Sequence, residues 1–356
     1  LEAKQAAPCA WFECVYSVAS TLHFKLRIMD PARFSSSVLT LDVAEESARI
    51  VESMRSQVLG TLRRRGAVVG ISGGIDSAVV TALCARAFGK DKVLGLFMPE
   101  HHSSDDALRL GRMLAETLGV EAIVEDIAPA LEGLGCYRKQ AEAIRTAVPE
   151  YGERWKCKLV IPSILASERL NVTRLTVQNP AGETSTVRLS ASAYLQLVAA
   201  TNYKQRVRKM TEYYHADRLH YAVSGTPNRL EYDQGFFVKQ GDGAADFKPI
   251  AHLYKTQVYQ LAAYLGVPAE ICKRPPTTDT FSMAQTQEEF YFALPYDRMD
   301  LCLYAYNHQV PAGEVASVVN LSTEQVERVF KDIEAKRRAT RYLHARPLLI
   351  DPVAEV

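Results

Sequence analysis

Ala67-Val68-Val69-Gly70-Ile71-Ser72-Gly73-Gly74-Ile75-Asp76-Ser77 is the stretch of this 356-residue chain on which the fold turns. Ala67 to Ile71 is a short apolar run and reads as a buried strand. A helix is expected from about Asp76 to Phe88, so the glycines fall in a tight strand-to-helix turn. In a doubly wound sheet that turn lies outside the carboxyl end of the strand, where ligands bind. Free N–H groups at the helix start and the hydroxyls of Ser72 and Ser77 form an anion cradle. Asp76 places a negative charge in the same turn, which makes sense if a divalent cation lies between it and a phosphate. No G-K-[ST] follows, so this is not a Walker loop, and the spacing is not G-x-G-x-x-G. Serine-capped Gly-Gly turns are common. S-G-G-x-D-S directly after an apolar strand is much less so.

The pattern continues outward from the loop. Residues 42–64 have helical apolar spacing and precede the strand. Lys92 to Met98 reads as a second strand, Ser104 to Leu118 as a helix capped by Ser103 or Ser104, and Glu121 to Glu125 as a third strand. A helix is expected from about Ser192 to His215, and a fourth parallel strand from Leu219 to Val223. Strand-helix alternation implies right-handed crossovers. The expected fold is therefore α/β: a doubly wound parallel sheet of about five strands flanked by helices. Residues 136–189 interrupt it and read as an insertion. Leu170 to Val177 and Thr184 to Leu189 alternate about an Asn-Pro-Ala-Gly turn, which is a β-hairpin signature. Short helices and loops follow Pro268, and a last helix starts near Ser322.

Composition limits the function classes. Apolar residues make up 47% and charged residues 23%, with a formal net charge of +1, so the chain shows no bias toward nucleic acid. No apolar run is long enough to span a bilayer. The cysteines number seven, without a C-x-x-C pair, which argues against a disulfide framework or a zinc site and for a cytoplasmic protein. Residues 1–41 read as an N-terminal extension ahead of one domain, 42–356. The first methionine is Met29, and residues 1–28 are read either as non-native or as a genuine N-terminal arm.

Ser72 to Ser77 resembles the pyrophosphate loop of the N-type ATP pyrophosphatases, and downstream segments narrow the resemblance to the NAD synthetase family. Gly225-Thr226-Pro227-Asn228-Arg229-Leu230-Glu231 is similar to that family's G-T-x-N-x-x-E. Phe236 to Asp246 is similar to its F-F-x-K-x-G-D-G-x-x-D, with Ala244 where a glycine is common. The resemblance implies Mg²⁺ held by Asp76 and Glu231. It implies ATP contacts at Gly70, Ser72, Gly73, Gly74, Asp76, Ser77, Met98, Thr226, Lys255 and Thr277. Asn202, Arg206, Lys239, Asp242, Asp246 and Lys336 take the dinucleotide substrate, and Asp242, Asp246, Lys255 and Thr277 are the implied catalytic set. On residue type alone, Glu231 is a solvated helix-start carboxylate and Lys255 an exposed lysine; the surrounding matches reverse that. Asn202 and Arg206 share a helical face, whereas Arg208 diverges and serves either a partner copy or solvent. The polar stretch up to about Tyr296 reads as a lid.

The activity this implies is amidation of deamido-NAD. A nicotinate carboxylate attacks the α-phosphate of ATP, pyrophosphate leaves, and ammonia displaces AMP from the acyl-adenylate. Glutamine-dependent relatives carry a large domain before the loop. Here the loop starts at Ser72, so free ammonia is the expected donor. A separate glutaminase partner is compatible with the chain but not expected. A homodimer is expected from the family. A different acceptor carboxylate stays open, because the insertion precedes the substrate helix.

Overall fold

The central strands are buried along nearly their whole length, and that continuous burial sets the layers. In a computed structural model, which describes residues 34–161, 173–277, 280–292 and 294–353, the main sheet is formed by β1 (Ala67–Gly70), β2 (Val93–Phe97), β3 (Glu121–Val124) and a late strand, Ala222–Val223. Between β3 and that late strand lies a second sheet of β4 (Lys156–Val160), β5 (Arg174–Gln178) and β6 (Thr184–Val187), so Ala222–Val223 is β7. The helices in chain order are α1 (Val43–Arg55), α2 (Ile75–Phe88), α3 (Asp105–Leu118), α4 (Ala128–Gly133), α5 (Cys136–Arg145) and α6 (Ala191–Leu219). They continue with α7 (Arg229–Gln234), α8 (Lys255–Leu265), α9 (Ala269–Lys273), α10 (Tyr296–Asn307), α11 (Ala312–Val319) and α12 (Thr323–Thr340).

The main sheet is parallel, in the order β3-β2-β1-β7. Val69 and Phe97 face a core built with α1, α2, α3 and α8. Val68, Leu94, Leu96 and Val223 face a second core built with α4, α5 and α6. Both faces are covered, as a parallel sheet requires. It has four strands rather than about five. Beside β7, where a fifth would lie, a single parallel bridge joins Ser224 to Phe247.

The expected fourth strand was too long at its start. Residues up to Leu219 belong to α6, and His220 ends that helix in the left-handed region, φ 59°. A short buried apolar run looks the same at a helix end and at a strand start. Ser35–Val356 forms one compact unit. Leu39 is buried, and Leu41 N–H and the Leu39 carbonyl both bond the Gln260 amide, at 2.9 Å each. Residues 36–41 are therefore held by the domain that was expected to start at 42. The N-terminal residues up to Arg33 lie outside the described residues, as does the beginning of the expected hairpin. The rest of that hairpin is β5 and β6, and β4 adds a third antiparallel strand on β5. Together with α5 and the start of α6 this small sheet has its own apolar core. Among the described residues no helix is long and apolar enough to cross a membrane.

Candidate active site

The glycine-serine turn folds as a closed cradle. Gly73 has φ 74°, and a Cβ there would lie 2.5 Å from the Ala107 carbonyl oxygen, so no side chain fits. Ser72 Oγ and Ser77 Oγ are 3.1 Å apart; Gly74 N–H donates to Ser72 Oγ at 3.3 Å, and Ser77 Oγ donates to the Gly74 carbonyl at 3.0 Å. Gly74 is the N-cap of α2 and no side chain caps that helix. Its first N–H groups are left for an anion. Gly70 and Met98 lie together at the same rim: a Cβ on Gly70 would sit 3.2 Å from Met98 Cε.

Asp76, Asn228, Glu231 and Lys255 meet beside this cradle. Lys255 Nζ donates to Asp76 Oδ2, and Asn228 Nδ2 donates to Asp76 Oδ1 at 3.0 Å. Asn228 N–H donates to Glu231 Oε2 at 3.1 Å, while Glu231 N–H donates to Asn228 Oδ1 at 3.2 Å, a capping box that starts α7. One asparagine thus touches both acidic side chains. Gln287 Nε2 donates to the remaining Glu231 oxygen, Oε1, at 3.0 Å. A narrow cavity lined by Asn228, Lys255, Pro276, Gln287 and Tyr296 adjoins them.

The charges here do not balance. Burial, and then the nearby Asp76, push the Glu231 carboxyl up to about 8, only partly offset by Lys255. Burial pulls Lys255 down, but Asp76 and Glu231 outweigh it and its ammonium is held above the ordinary lysine value. Two carboxyls therefore face one ammonium, an excess of acidic groups in a buried place. That is a donor set suited to Mg²⁺, which takes one or two carboxylates and completes its shell with phosphate oxygens and water. Among the described residues no cluster of three or more His, Cys, Asp or Glu forms an all-protein metal cage.

Asp300 of α10 fixes Lys255 from behind. It is fully buried, and its two oxygens accept from Lys255 N–H at 3.2 Å and Thr256 N–H at 2.7 Å, capping α8. Burial pushes its carboxyl up to about 7 against the pull of those N–H groups. Sequence reading missed Asp300, because the cap comes from a helix 45 residues away.

The other expected residues are placed as follows. Asp242 accepts from Val238 N–H within its own turn at 2.7 Å, and burial pushes its carboxyl up, opposed by Val238, Lys209 and Arg208. Asp246 is already engaged: Oδ2 accepts from Val223 N–H at 2.7 Å and Oδ1 from Tyr213 OH at 3.3 Å. Thr226 is half-buried in the loop between β7 and α7. Thr277 is exposed and bridges to Thr286. Lys239 Nζ donates to the carbonyls of Tyr342 and Ala345, at 2.7 and 3.0 Å, and its own carbonyl accepts from Arg206. Lys336 is paired with Asp332 at 2.7 Å and donates to the Tyr291 carbonyl at 2.8 Å. Arg208 Nε reaches the Met98 carbonyl at 3.4 Å. Asn202 is half-buried on α6.

Lys204, which sequence reading passed over, is the most deeply buried lysine on α6, at 1% exposure. It lies between Asn202 and Arg206, on the face the 3.6-residue period turns inward, and that was the available signal. Lys209 and Glu212 form a second buried pair there, 2.6 Å apart, with the Glu212 carboxyl raised by burial.

The family model described as NAD synthase matches residues 46–154 and 165–341. The expected insertion at 136–189 is therefore mostly family sequence, and only 155–164 is left unmatched within it. The chain is 70% identical over 318 residues to the NH(3)-dependent NAD(+) synthetase of Mesorhizobium japonicum, covering 89% of this chain and all of that one. It is 59% identical to the Rhizobium meliloti enzyme of the same name, over 91% of this chain and 96% of that one. An NMN synthetase from Francisella tularensis shares the fold at a TM-score of 0.59 and 21% identity, over 87% of this chain and 99% of that one. An NH3-dependent NAD synthetase from Campylobacter jejuni does so at 0.56 and 21%, over 87% and 100%.

Proposed function

This chain belongs to the NAD synthase family, and from that premise we propose how its residues make an amide. It is an ATP-dependent ligase that forms a C–N bond, joining ammonia to the nicotinate carboxyl of deamido-NAD with release of AMP and pyrophosphate.

The carrying observation is the meeting of Asp76, Glu231 and Lys255 beside an uncapped helix start. The loop N–H groups and Ser72 bind the phosphates, and Gly73 keeps side-chain bulk out of their way. Asp76 and Glu231 would hold Mg²⁺, which would supply positive charge to screen the phosphates. Lys255, pinned by Asp300, offsets negative charge that grows as pyrophosphate leaves. Thr226, Thr277 and Met98 bound the nucleotide.

Asn202, Arg206, Lys239 and Lys336 belong to the dinucleotide side. Asp242 positions the ammonium and takes the proton that the attacking nitrogen sheds; its raised basicity suits that task. Asp246, bonded to the end of β7, holds the turn in place. The working form is a homodimer, a reading supported by Leu195, Met210 and Tyr214, which leave α6 with large exposed apolar side chains. A reducing cytoplasm is supported by five free cysteines among the described residues.

The test is an acceptor and donor panel with purified full-length chain. Deamido-NAD with ammonium should yield NAD, AMP and pyrophosphate in equal amounts. Turnover on glutamine alone, or pyrophosphate release with another carboxylate but not with deamido-NAD, would overturn the reading.

A further inference from the structure

Residues 280–292 contact the site on one side and the small sheet on the other. Toward the site, Gln287 bonds Glu231, and Tyr291 OH donates to the Gln234 carbonyl at the end of α7, at 2.7 Å. Toward the small sheet, they are met by β4. Among the described residues that strand has β5 as its one strand partner, so the backbone groups on its other edge are left for other elements. Residues 282–289 use them. Met283 N–H donates to the Cys157 carbonyl at 3.1 Å, Cys157 N–H to Ser282 Oγ at 2.9 Å, and Ile161 N–H to the Glu289 carbonyl at 3.0 Å. Gln285 Nε2 donates to the Leu159 carbonyl, and Lys158 faces Glu289 at 3.2 Å. Residues 157, 159 and 161 alternate, as the groups on one edge of a strand must. Phe281 is buried in the small-sheet core.

The third anchor is Lys204. Its ammonium has three N–H groups. They go to Glu100 Oε1 at 3.0 Å, His102 Nδ1 at 2.8 Å and the Thr280 carbonyl at 2.9 Å. Glu100 Oε2 in turn accepts from Tyr137 OH at 2.9 Å. His102 must accept through Nδ1, which a neutral ring does; burial and the Lys204 charge push it down to about 4. One buried cation, saturated by its partners, thereby ties α6, the loop after β2 and the start of residues 280–292 together.

We propose that Lys204 and the free edge of β4 dock residues 280–292, and that Lys204 is a positioning residue acting through Gln287 on Glu231. β4 lies in the stretch 155–164 that the NAD synthase model leaves unmatched, so family membership does not imply this dock. The dock stands on geometry alone; its effect on ATP rests on the reading of the site given above.

The test combines exchange with kinetics on the full chain. Lys204→Met with Glu100→Gln removes both buried charges together, so no lone charge is left inside. Amide hydrogen exchange over 280–292 in the free protein should rise about tenfold or more, with β1 unchanged. Gln285→Ala, which leaves Lys204 and Glu100 intact, should raise it too and carries the exchange test if the double variant does not fold. Unchanged exchange in a folded variant sinks the dock. For coupling, Gln287→Ala should raise the apparent KM for ATP about tenfold in the parent, but less than about twofold in the Lys204→Met/Glu100→Gln background. Full multiplication of the two effects would show that Lys204 does not act through Gln287. If the parent fails to amidate deamido-NAD, the functional reading fails while the exchange experiment still decides the dock.

Discussion

Lys255 and Lys204 are both buried lysines, at 2% and 1% exposure, and each donates to a carboxylate from a distant part of the chain. Their surroundings differ in one respect. Lys255 faces two carboxyls, Asp76 and Glu231, and the second keeps a proton up to about 8. Lys204 faces one carboxylate, and every N–H it has is taken by a protein acceptor. A buried cluster with an excess of acidic groups is suited to a further cation, whereas a balanced and saturated one has no capacity left for a ligand. The difference is the one expected between the proposed binding site and the proposed clamp, although the two lysines look alike by burial.

The comparison can be broken at each end. The largest effect is expected from Lys255→Met, which should lower kcat/KM for ATP about a thousandfold with the fold kept, since it removes charge aimed at the leaving group. Pyrophosphate release checks this; a loss below about tenfold would mean that the ammonium does not face the phosphates.

Next comes Lys204→Met alone. It strands the Glu100 carboxylate in the interior and should cost about 3 kcal/mol of stability in chemical denaturation, whereas adding Glu100→Gln should recover most of it. Equal stability of the single and double variants would remove the charge-balance argument.

The smallest effect is expected on the stability of the ligand-free protein in Glu231→Gln. Because Glu231 is held at about 8 against an ordinary 4.5, the ionised form is disfavoured in the folded chain. The penalty is absent below pH 4.5, grows as pH rises from there, and is complete above about 8. The glutamine variant should therefore gain stability at pH 8 and none at pH 4.5, while its Mg²⁺ requirement rises. A gain independent of pH would place the cause outside the carboxyl.

Much of the central fold was legible. The alternation of short apolar runs with helical spacing located β1, β2, β3, α2 and α3 to within a residue or two. The strand at 222–223 was blurred because Leu219 satisfies either period. β4 had a signal that was passed over. Lys156 and Lys158 alternate with the buried Cys157 and Leu159, the pattern of a half-buried strand. At the site, Asp76, Glu231 and Lys255 could be named from motif resemblance. Asp300, Gln287 and Lys204 belong to none of the matched motifs, and their roles arise from partners far along the chain.

The glycine-serine turn and its flanking strand and helix were determined by the sequence alone, because what forces them lies within some twenty consecutive residues: an apolar run, a glycine at φ 74°, a helix start without a side-chain cap. Charge balance was decided only by the tertiary structure. It depends on which carboxylate meets which ammonium across separations of 179 residues for Lys255 and 104 for Lys204. Local pattern carries no information about such meetings, since electrostatic energy follows distance in space and burial rather than position along the chain.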